Sequence, residues 1–299
     1  MAEAPGGADP VRTYYGRPVL KEPEWTWEVP WYLFTGGLAG ASSGLALVAR
    51  LAGRDDLMHR ARLVAGAGVA VSPVLLIMDL GRPRRFYNML RVFKPTSAMS
   101  MGSWLLSVYG TMAGATAVLG VLGRLPRLQV LLDGAAGVLG LPFATYTAVL
   151  LSDSSIPVWQ EARGHLPFVF AASAGASAGA ASVLLAPAGH EGPARRLTLV
   201  AAAAELTAHQ AMTRRLAALG EPYEQGDGGR YAKAAKSCTA AGAVLVAAGR
   251  HRRWASMAGA TLVLAGAICE RWAVFRAGFQ SAADPTYAVA DQRRRLGLA

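Results

Sequence analysis

Long apolar runs separated by short polar connectors dominate the chain. The first run, Val29–Ala49, contains no charged residue, and as a helix rising 1.5 Å per residue it covers the roughly 30 Å hydrocarbon core of a bilayer. Seven further runs are bounded by Arg, Pro or Gly: Leu63–Leu80, Met99–Gly123, Leu128–Ser152, Leu166–Ala188, Leu197–Leu219, Ala232–Gly249 and Trp254–Phe275. Lipid tolerates only helices or closed barrels, and the runs lack the alternation of barrel strands. The pattern therefore predicts an all-α integral membrane protein with eight transmembrane helices.

The polar segments define the domain organisation. Residues 1–28 and 277–299 are predicted to be polar tails around a transmembrane domain of residues 29–276. The first tail lacks the apolar stretch of a secretory signal peptide. With an even number of spans, both tails lie on one side of the membrane, which we call the near face; the opposite side is the far face. The longer connectors, at 81–98, 153–165 and 220–236, lie on the near face, so we expect the chemistry there.

Small residues at four-residue spacing occur inside two of the runs. Gly36, Gly40 and Gly44 lie in the first run, and Gly175 and Gly179 lie in the fifth. Because such spacing lets two helix backbones approach closely, the sequence predicts tight helix crossings at these positions.

Composition excludes several classes of protein. The chain is 53% hydrophobic and 16% charged, well below the roughly 25% charge usual in soluble domains, so a water-soluble enzyme is disfavoured. Two cysteines cannot hold a four-thiolate iron–sulfur cluster, so none is expected in this chain. The net charge of +11 comes from basic residues that stand in short groups between apolar runs. Lys and Arg beside membrane spans are placed in this way, so the charge does not indicate nucleic-acid binding. Of five histidines only His209 lies deep in a run, so no haem is expected.

The densest polar segment joins the second and third runs. It reads Asp-Leu-Gly-Arg-Pro at 79–83, Arg-Phe at 85–86, Met-Leu at 89–90, Lys-Pro-Thr-Ser at 94–97 and Gly-Ser-Trp at 102–104. This segment resembles the signature of the NrfD-like, or polysulfide reductase membrane-anchor, family. Further matches, which extend the resemblance over nearly the whole chain, lie at Tyr15–Pro18, Tyr32–Gly40, Glu270–Trp272 and Ser281–Pro285.

The resemblance implies a multi-pass subunit of a multi-subunit oxidoreductase in the cytoplasmic (inner) membrane. Such a subunit passes electrons between the membrane quinone pool, menaquinone or ubiquinone, and a ferredoxin-like partner subunit that carries [4Fe–4S] clusters. That partner usually serves a molybdopterin catalytic subunit, so this chain is not expected to be catalytic alone. The resemblance also implies that Tyr146 corresponds to a fourth-helix tyrosine that donates to the quinone. In the first span the sequence departs from polysulfide reductase, with Glu28 and Trp31 where that protein has Asn and His.

A quinone headgroup needs hydrogen-bond donors for two carbonyl oxygens, and its reduction takes up two protons from ionisable groups near water. The near face supplies residues of these kinds. The predicted quinone-binding set is Glu28, Trp31, Tyr32, Asp79, Arg82, Ser100, Ser103, Trp104 and Tyr146. Tyr146 is equally well interpreted as an interfacial tyrosine bonded to backbone. Asp79 and Arg82, three residues apart, also fit a salt bridge that caps the span.

Two further groups of charged residues have predicted roles. Arg84, Arg85, Arg91 and Lys94 are docking candidates for the acidic surface of the partner or for lipid phosphates. Glu205 and His209 lie four apart on one face of the sixth run, where ionisable groups are costly. They are candidates for a proton relay, which Asp133 would extend towards the far face. A neutral His–Glu pair that holds two helices together explains the same residues.

Two rival functions remain at this point. A secondary transporter is suggested by eight spans with a buried Glu205–His209 pair, although transporters usually carry repeated halves with broken helices. The other rival is a membrane tether that holds its partners without binding quinone.

Overall fold

The computed structural model describes residues 20–187, 189–250 and 252–289. Within these ranges the protein forms helices and no strand. The α-helices are α1 (Glu28–Leu51), α2 (Asp55–Asp79), α3 (Phe86–Leu90), α4 (Ala98–Leu122), α5 (Pro126–Ser152), α6 (Pro157–Glu161), α7 (Leu166–Leu184), α8 (Gly192–Leu216), α9 (Gly226–Ala248) and α10 (Arg253–Ala283). Residues 1–19 and 290–299 of the two predicted tails lie outside the described residues, as do the motif at Tyr15–Pro18 and Ala188 at the end of the fifth run.

Six helices of the described ranges are long and apolar enough to cross a membrane: α1, α2, α4, α5, α7 and α10. The all-α, multi-pass membrane fold is therefore confirmed. The helices α8 and α9 have comparable lengths of 25 and 23 residues, but polar residues such as Glu205, His209 and Lys236 lower their apolar content. The count of eight transmembrane helices stays a prediction.

Local sequence signals account for several helix ends. The N-cap of α4 is Ser97, whose hydroxyl accepts a hydrogen bond from the Ser100 amide, and the helix ends at Gly123, whose φ of 62° is the left-handed conformation that glycine adopts without strain. The helix α10 continues to Ala283, beyond the predicted end at Phe275. Its last turns are covered by protein, because the Trp159 indole lies against the backbone of Gly278. The predicted tail at 277–299 thus begins inside this helix.

The helix α1 occupies the centre of the bundle and contacts α2, α5, α7 and α10. It crosses α5 at direct backbone contact, since a Cβ atom at Gly40 would collide with the carbonyl oxygen of Gly140. In the same way a Cβ atom at Gly179 in α7 would lie 2.6 Å from the Thr198 hydroxyl in α8. The close crossings predicted from glycine spacing are present at both positions.

Successive long helices alternate in direction, which gives the bundle its two faces. The starts of α1, α4, α7 and α9 and the ends of α2, α5, α8 and α10 lie at the near face. Contacts between distant segments hold this end together: Thr26 bonds to Asp79, and the Trp25 ring stacks on Trp159 with centroids 5.5 Å apart. At the far face Arg60 donates to the carbonyl oxygen of His190 at 3.4 Å.

A buried carboxylate joins the first four long helices near the far face. Asp133 in α5 is 4% exposed and accepts hydrogen bonds from Arg50 in α1 and Arg62 in α2, each at 2.7 Å, and from the Thr116 hydroxyl in α4. Two arginines neutralise this carboxylate. The bonds of Asp133 go to these residues rather than to Glu205 or His209, so its geometry is that of a helix clamp.

Candidate functional site

The near face brings two predicted carboxylates together through a residue that the sequence analysis did not select. The Thr26 hydroxyl contacts both Glu28 and Asp79, lying 3.0 Å from Asp79 Oδ1, and its backbone amide donates to the same oxygen at 3.1 Å. Thr26 therefore links the start of α1 to the end of α2. Asp79 forms no ion pair with Arg82, which is exposed, so the predicted salt bridge is wrong: the Thr26 amide and hydroxyl occupy the carboxylate instead.

Tyr146 lies two turns before the end of α5, and its side chain contacts the start of α4. Its hydroxyl donates to the Ala98 carbonyl oxygen at 2.5 Å. The ring packs flat on α4 at Gly102, where a Cβ atom would overlap ring and hydroxyl atoms. Only glycine leaves room for the tyrosine here. Tyr32 of α1 is buried and close enough to Tyr146 for the two hydroxyls to interact electrostatically. Trp31, its neighbour in sequence, is partly exposed.

The segment after α3 folds back onto the start of α4. The Ser100 hydroxyl donates to the Val92 carbonyl oxygen at 2.9 Å and accepts from the Lys94 amide at 3.1 Å. Trp104 also points at the Val92 carbonyl, at 3.4 Å, and its ring meets that of Phe93 edge to face. Ser100 and Trp104 therefore hold the connector in place.

An open cleft of about 220 Å³ lies between this connector and α4. Its lining residues are Asn88, Met89, Val92, Lys94, Ser97, Met99, Ser100 and Ser103. The Ser103 hydroxyl is satisfied by the Met99 carbonyl at 2.9 Å. Ala98, the hydrogen-bond acceptor of Tyr146, lies between two of the lining residues. The cleft is thus separated from Tyr146 by the first turn of α4.

The connector between α2 and α4 presents basic and apolar side chains to the exterior. Arg82, Arg84, Arg85, Arg91 and Lys94 are all exposed, and residues 80–98 contain no acidic residue. Tyr87, Val92 and Phe93 are 73%, 62% and 59% exposed. All four predicted docking residues therefore lie on one accessible segment at the near face, directly after Asp79 in the sequence.

A second group of polar residues lies between α7, α8 and α10. It consists of Glu205, His209, Glu270 and Arg271, each at most 2% exposed, and we call it the buried charge cluster. His209 Nδ1 lies 2.9 Å from Glu270 Oε1. The sequence pairs His209 with Glu205 on the same helix, but the structure pairs it with a carboxylate 61 residues away. The Arg271 guanidinium stacks 3.7 Å from the Phe170 ring centroid and donates to the Phe170 carbonyl oxygen at 3.1 Å.

Many polar atoms of the buried charge cluster have no hydrogen-bond partner. They are Glu205 Oε2, His209 Nε2, Arg271 Nε and Nη1, and the neighbouring hydroxyls of Ser173 and Tyr223. Buried polar groups are normally bonded to protein or ordered water, so these groups retain hydrogen-bonding capacity that the protein itself does not use. Tyr223 lies in the near-face connector, where burial, reinforced by the negative charge of Glu270, raises the pKa of its hydroxyl. The Tyr223 ring meets His209 edge to face.

Arg271 connects the buried charge cluster to the first four long helices. A Cβ atom at Gly37 in α1 would lie 3.5 Å from Arg271 Nη2 and 4.0 Å from the Ala144 carbonyl oxygen in α5. Gly37 and Ala144 lie close in sequence to Tyr32 and Tyr146. The buried charge cluster thus reaches α1 and α5, the helices that carry Tyr32 and Tyr146, at Gly37.

Sequence reasoning missed four residues that the structure places in these groups: Thr26, Tyr223, Glu270 and Arg271. A charged pair inside an apolar run was the available signal for Glu270 and Arg271. Thr26 lies in the predicted first tail and Tyr223 in a connector, and neither segment has a pattern of its own there, so nothing in the sequence indicates these two residues. Among the described residues, no group of three or more His, Cys, Asp and Glu side chains is arranged to hold a metal ion.

Residues 20–219 match the family described as Polysulphide reductase, NrfD. The Protein NrfD of Escherichia coli (strain K12) is 34% identical over 94 residues, which span 28% of this sequence and 29% of that protein. The C subunit of the polysulfide reductase of Wolinella succinogenes is 31% identical over 91 residues, with the same coverage of 28% and 29%. The alignments to these two relatives thus span under a third of each. The family match covers well over half of the sequence, includes the near-face carboxylates, Tyr146 and the α2–α4 connector, and shows that this membrane protein belongs to the NrfD polysulphide reductase family.

Proposed function

We propose that this protein is the quinone-reactive membrane subunit of a multi-subunit oxidoreductase. It carries electrons between the quinone pool and an iron–sulfur partner subunit docked at the near face. The observation that carries the proposal is the arrangement at that face: Tyr146 of α5 packs on the start of α4, Glu28 and Asp79 meet through Thr26, and the basic α2–α4 connector covers the same end. One matched relative is named as the C subunit of a polysulfide reductase, which supports a role as one subunit of several.

The residues meet the chemical needs of a quinone. Reduction to the quinol adds two electrons, which the iron–sulfur partner supplies, and two protons, one on each carbonyl oxygen. Tyr146 can donate to a quinone oxygen when its hydroxyl turns from the Ala98 carbonyl, since a phenol has one proton and rotates freely. The Glu28 and Asp79 carboxylates, joined by Thr26 at the edge of the bundle, are placed to relay protons from near-face water.

The near face carries the docking role. The iron–sulfur partner would present acidic groups to Arg84, Arg85, Arg91 and Lys94, all exposed on one connector. The apolar side chains of Tyr87 and Phe93 lie among these charges and would give the interface an apolar centre. We place a [4Fe–4S] ferredoxin-like subunit on this surface and a molybdopterin catalytic subunit beyond it. The complex resides in the cytoplasmic membrane, with α8 and α9 completing eight spans.

Neutralising two of these arginines is expected to weaken partner binding a few-fold. Each exposed charge contributes roughly 0.2–1 kcal/mol, and the contribution falls as salt screens it. Binding of the purified iron–sulfur subunit to Arg84→Gln/Arg85→Gln should be measured at low and high ionic strength. The matched control is Arg124→Gln/Arg127→Gln, an equal charge change on the exposed α4–α5 turn at the far face. Equal binding by both variants would contradict the near-face dock.

Proton movement is the second part of the proposal. A carboxylate, an imidazole, a second carboxylate and a protonated phenol follow one another from Glu205 through His209 to Glu270 and Tyr223, with unsatisfied atoms along the way. With water molecules as links, these groups would form a relay between mid-membrane and the near face. The Arg271 contact at Gly37 brings the buried charge cluster to α1 and α5, the helices that carry Tyr32 and Tyr146.

Purification of the native complex tests the proposal. We expect the protein to copurify with iron–sulfur subunits and with bound menaquinone or ubiquinone, detected by extraction and mass spectrometry. If the partners copurify without quinone and added quinone cannot reoxidise their clusters, the protein acts only as a membrane tether. Solute transport by the isolated protein in liposomes would favour a secondary transporter instead.

A further inference from the structure

A polar pocket of about 580 Å³ opens at the far face, away from both groups of residues described above. The α1–α2 turn forms one wall and the α7–α8 connector forms the other. Three arginines line it, Arg54, Arg60 and Arg196, together with Asp55, Asp56 and His190. Asp56 lies 2.9 Å from His190 Nδ1, so one of the two carboxylates already has a partner. The remaining charge of the lining is positive.

Two helices begin at this pocket. The helix α2 starts at Asp55 and α8 starts at Gly192, and neither start is capped by a side chain. Backbone N–H groups at a helix start carry partial positive charge and need acceptors, which makes such an end suitable for an anion. Here the two ends face one cavity, and their first-turn N–H groups add to the arginine charge, although Pro193, the second residue of α8, has no N–H to contribute.

Arg60 supplies an independent indication that a ligand belongs in the pocket. It is 8% exposed, yet its Nε has no hydrogen-bond partner. Its one bond to the opposite wall runs from Nη2 to the His190 carbonyl oxygen at 3.4 Å, which is long. A buried guanidinium with unused donors is costly unless an acceptor is present. Nε itself has almost no accessible surface, so a tetrahedral oxyanion in the pocket would accept from the other guanidinium donors of Arg60.

The depth of the pocket favours a lipid source for the anion. The helix α1 has 24 residues, so it rises about 36 Å and exceeds the roughly 30 Å hydrocarbon core. The pocket residues that follow it lie at headgroup level. Leu51 and Leu185, at the adjoining ends of α1 and α7, are 79% and 52% exposed and are placed to contact acyl chains.

We propose that this far-face pocket binds a phosphate group, as carried by an anionic phospholipid headgroup or by free phosphate. The phosphate oxygens accept from Arg60 and Arg196 and from the N–H groups at the starts of α2 and α8. Because the two walls belong to the two halves of the bundle, the bound phosphate would join the α1–α2 turn to the α7–α8 connector. This role is independent of quinone chemistry at the near face.

Lipid titration of the full-length protein in mild detergent tests the site. Phosphatidylglycerol and phosphatidylcholine are added in parallel and binding is followed by native mass spectrometry, while inorganic phosphate is titrated by calorimetry. We expect Arg196→Gln, at an exposed position, and Arg60→Gln each to weaken phosphatidylglycerol binding about fivefold, since a basic residue near an anionic surface contributes about 1 kcal/mol. Arg124→Gln, on the same face outside the pocket, should bind as the unaltered protein does.

The two probes separate the sources of the phosphate. Arginine-dependent binding of phosphatidylglycerol over phosphatidylcholine assigns the pocket to lipid. Arginine-dependent binding of inorganic phosphate, with no preference between the lipids, assigns it to free phosphate. If Arg196→Gln and Arg60→Gln bind every probe as tightly as Arg124→Gln does, the proposal is overturned.

Discussion

Replacing Tyr146 with phenylalanine is expected to slow quinone turnover by more than tenfold while the complex still assembles. The substitution removes only the hydroxyl and leaves the ring that packs on Gly102. The Ala98 carbonyl loses its donor, but it belongs to the first turn of α4 and keeps its helical bond. The lost hydrogen bond to the quinone oxygen accounts for the rate, because tenfold corresponds to about 1.4 kcal/mol and one hydrogen bond contributes roughly that amount.

Turnover of a soluble quinone analogue by the purified complex measures this effect. The matched control is Tyr109→Phe, which also removes a buried hydroxyl, one that lies 2.9 Å from the Ser43 hydroxyl between α1 and α4. It should retain turnover close to that of the unaltered complex, since Tyr109 lies deeper in the bundle. Unchanged turnover in Tyr146→Phe would remove Tyr146 from the quinone site.

Replacing Glu205 with glutamine is expected to abolish transmembrane proton movement while electron transfer to quinone continues. Glutamine keeps the size and the hydrogen-bonding shape of the side chain but cannot accept and release a proton at neutral pH. Glu205 is buried in the middle of α8 with one carboxylate oxygen unbonded. It is the one acidic residue of that helix, so no other carboxylate in α8 can replace it. Glutamine is neutral and carries no charge cost in the membrane, so we expect the protein to fold.

Reconstituted proteoliposomes with an internal pH dye measure proton movement and quinone reduction in the same sample. Glu221→Gln, an exposed near-face carboxylate outside the buried charge cluster, is the matched control and should behave as the unaltered complex does. Proton movement that persists in Glu205→Gln at an unchanged ratio of protons to electrons would refute the relay and leave the cluster a structural link between helices.

The positions of the spans were predictable because a membrane-crossing helix needs an uninterrupted apolar stretch, and such a stretch is visible along the sequence. The run Val29–Ala49 falls within α1 (Glu28–Leu51), and Met99–Gly123 differs from α4 by one residue at each end. The start of α2 was missed, since the predicted run begins at Leu63 but the helix begins at Asp55. The first turns of α2 carry charged residues, which a helix tolerates where it extends into the headgroup region. A search for apolar runs therefore does not detect these turns.

The candidate sites were predictable in their residue types and only partly in their partners. The α2–α4 connector stood out by its composition, and its basic residues are exposed as a docking surface requires. The serines and tryptophan at the start of α4 were selected as quinone ligands, yet Ser100 and Trp104 hold the connector through the Val92 carbonyl. Carbonyl acceptors belong to every residue alike, so sequence cannot show which one a side chain will reach.

By itself the sequence determined that this protein is helical, resides in a membrane and carries a polar end with an NrfD-type segment, because these properties follow from the order of apolar and polar residues. Tertiary structure alone decided which distant groups meet. His209 bonds to Glu270 rather than to its helical neighbour Glu205, Thr26 joins two carboxylates, and Arg60 faces an open pocket beside His190. The physical reason is that helical spacing fixes neighbours three or four residues apart, whereas contacts between helices depend on rotation and depth, which only the packed bundle sets.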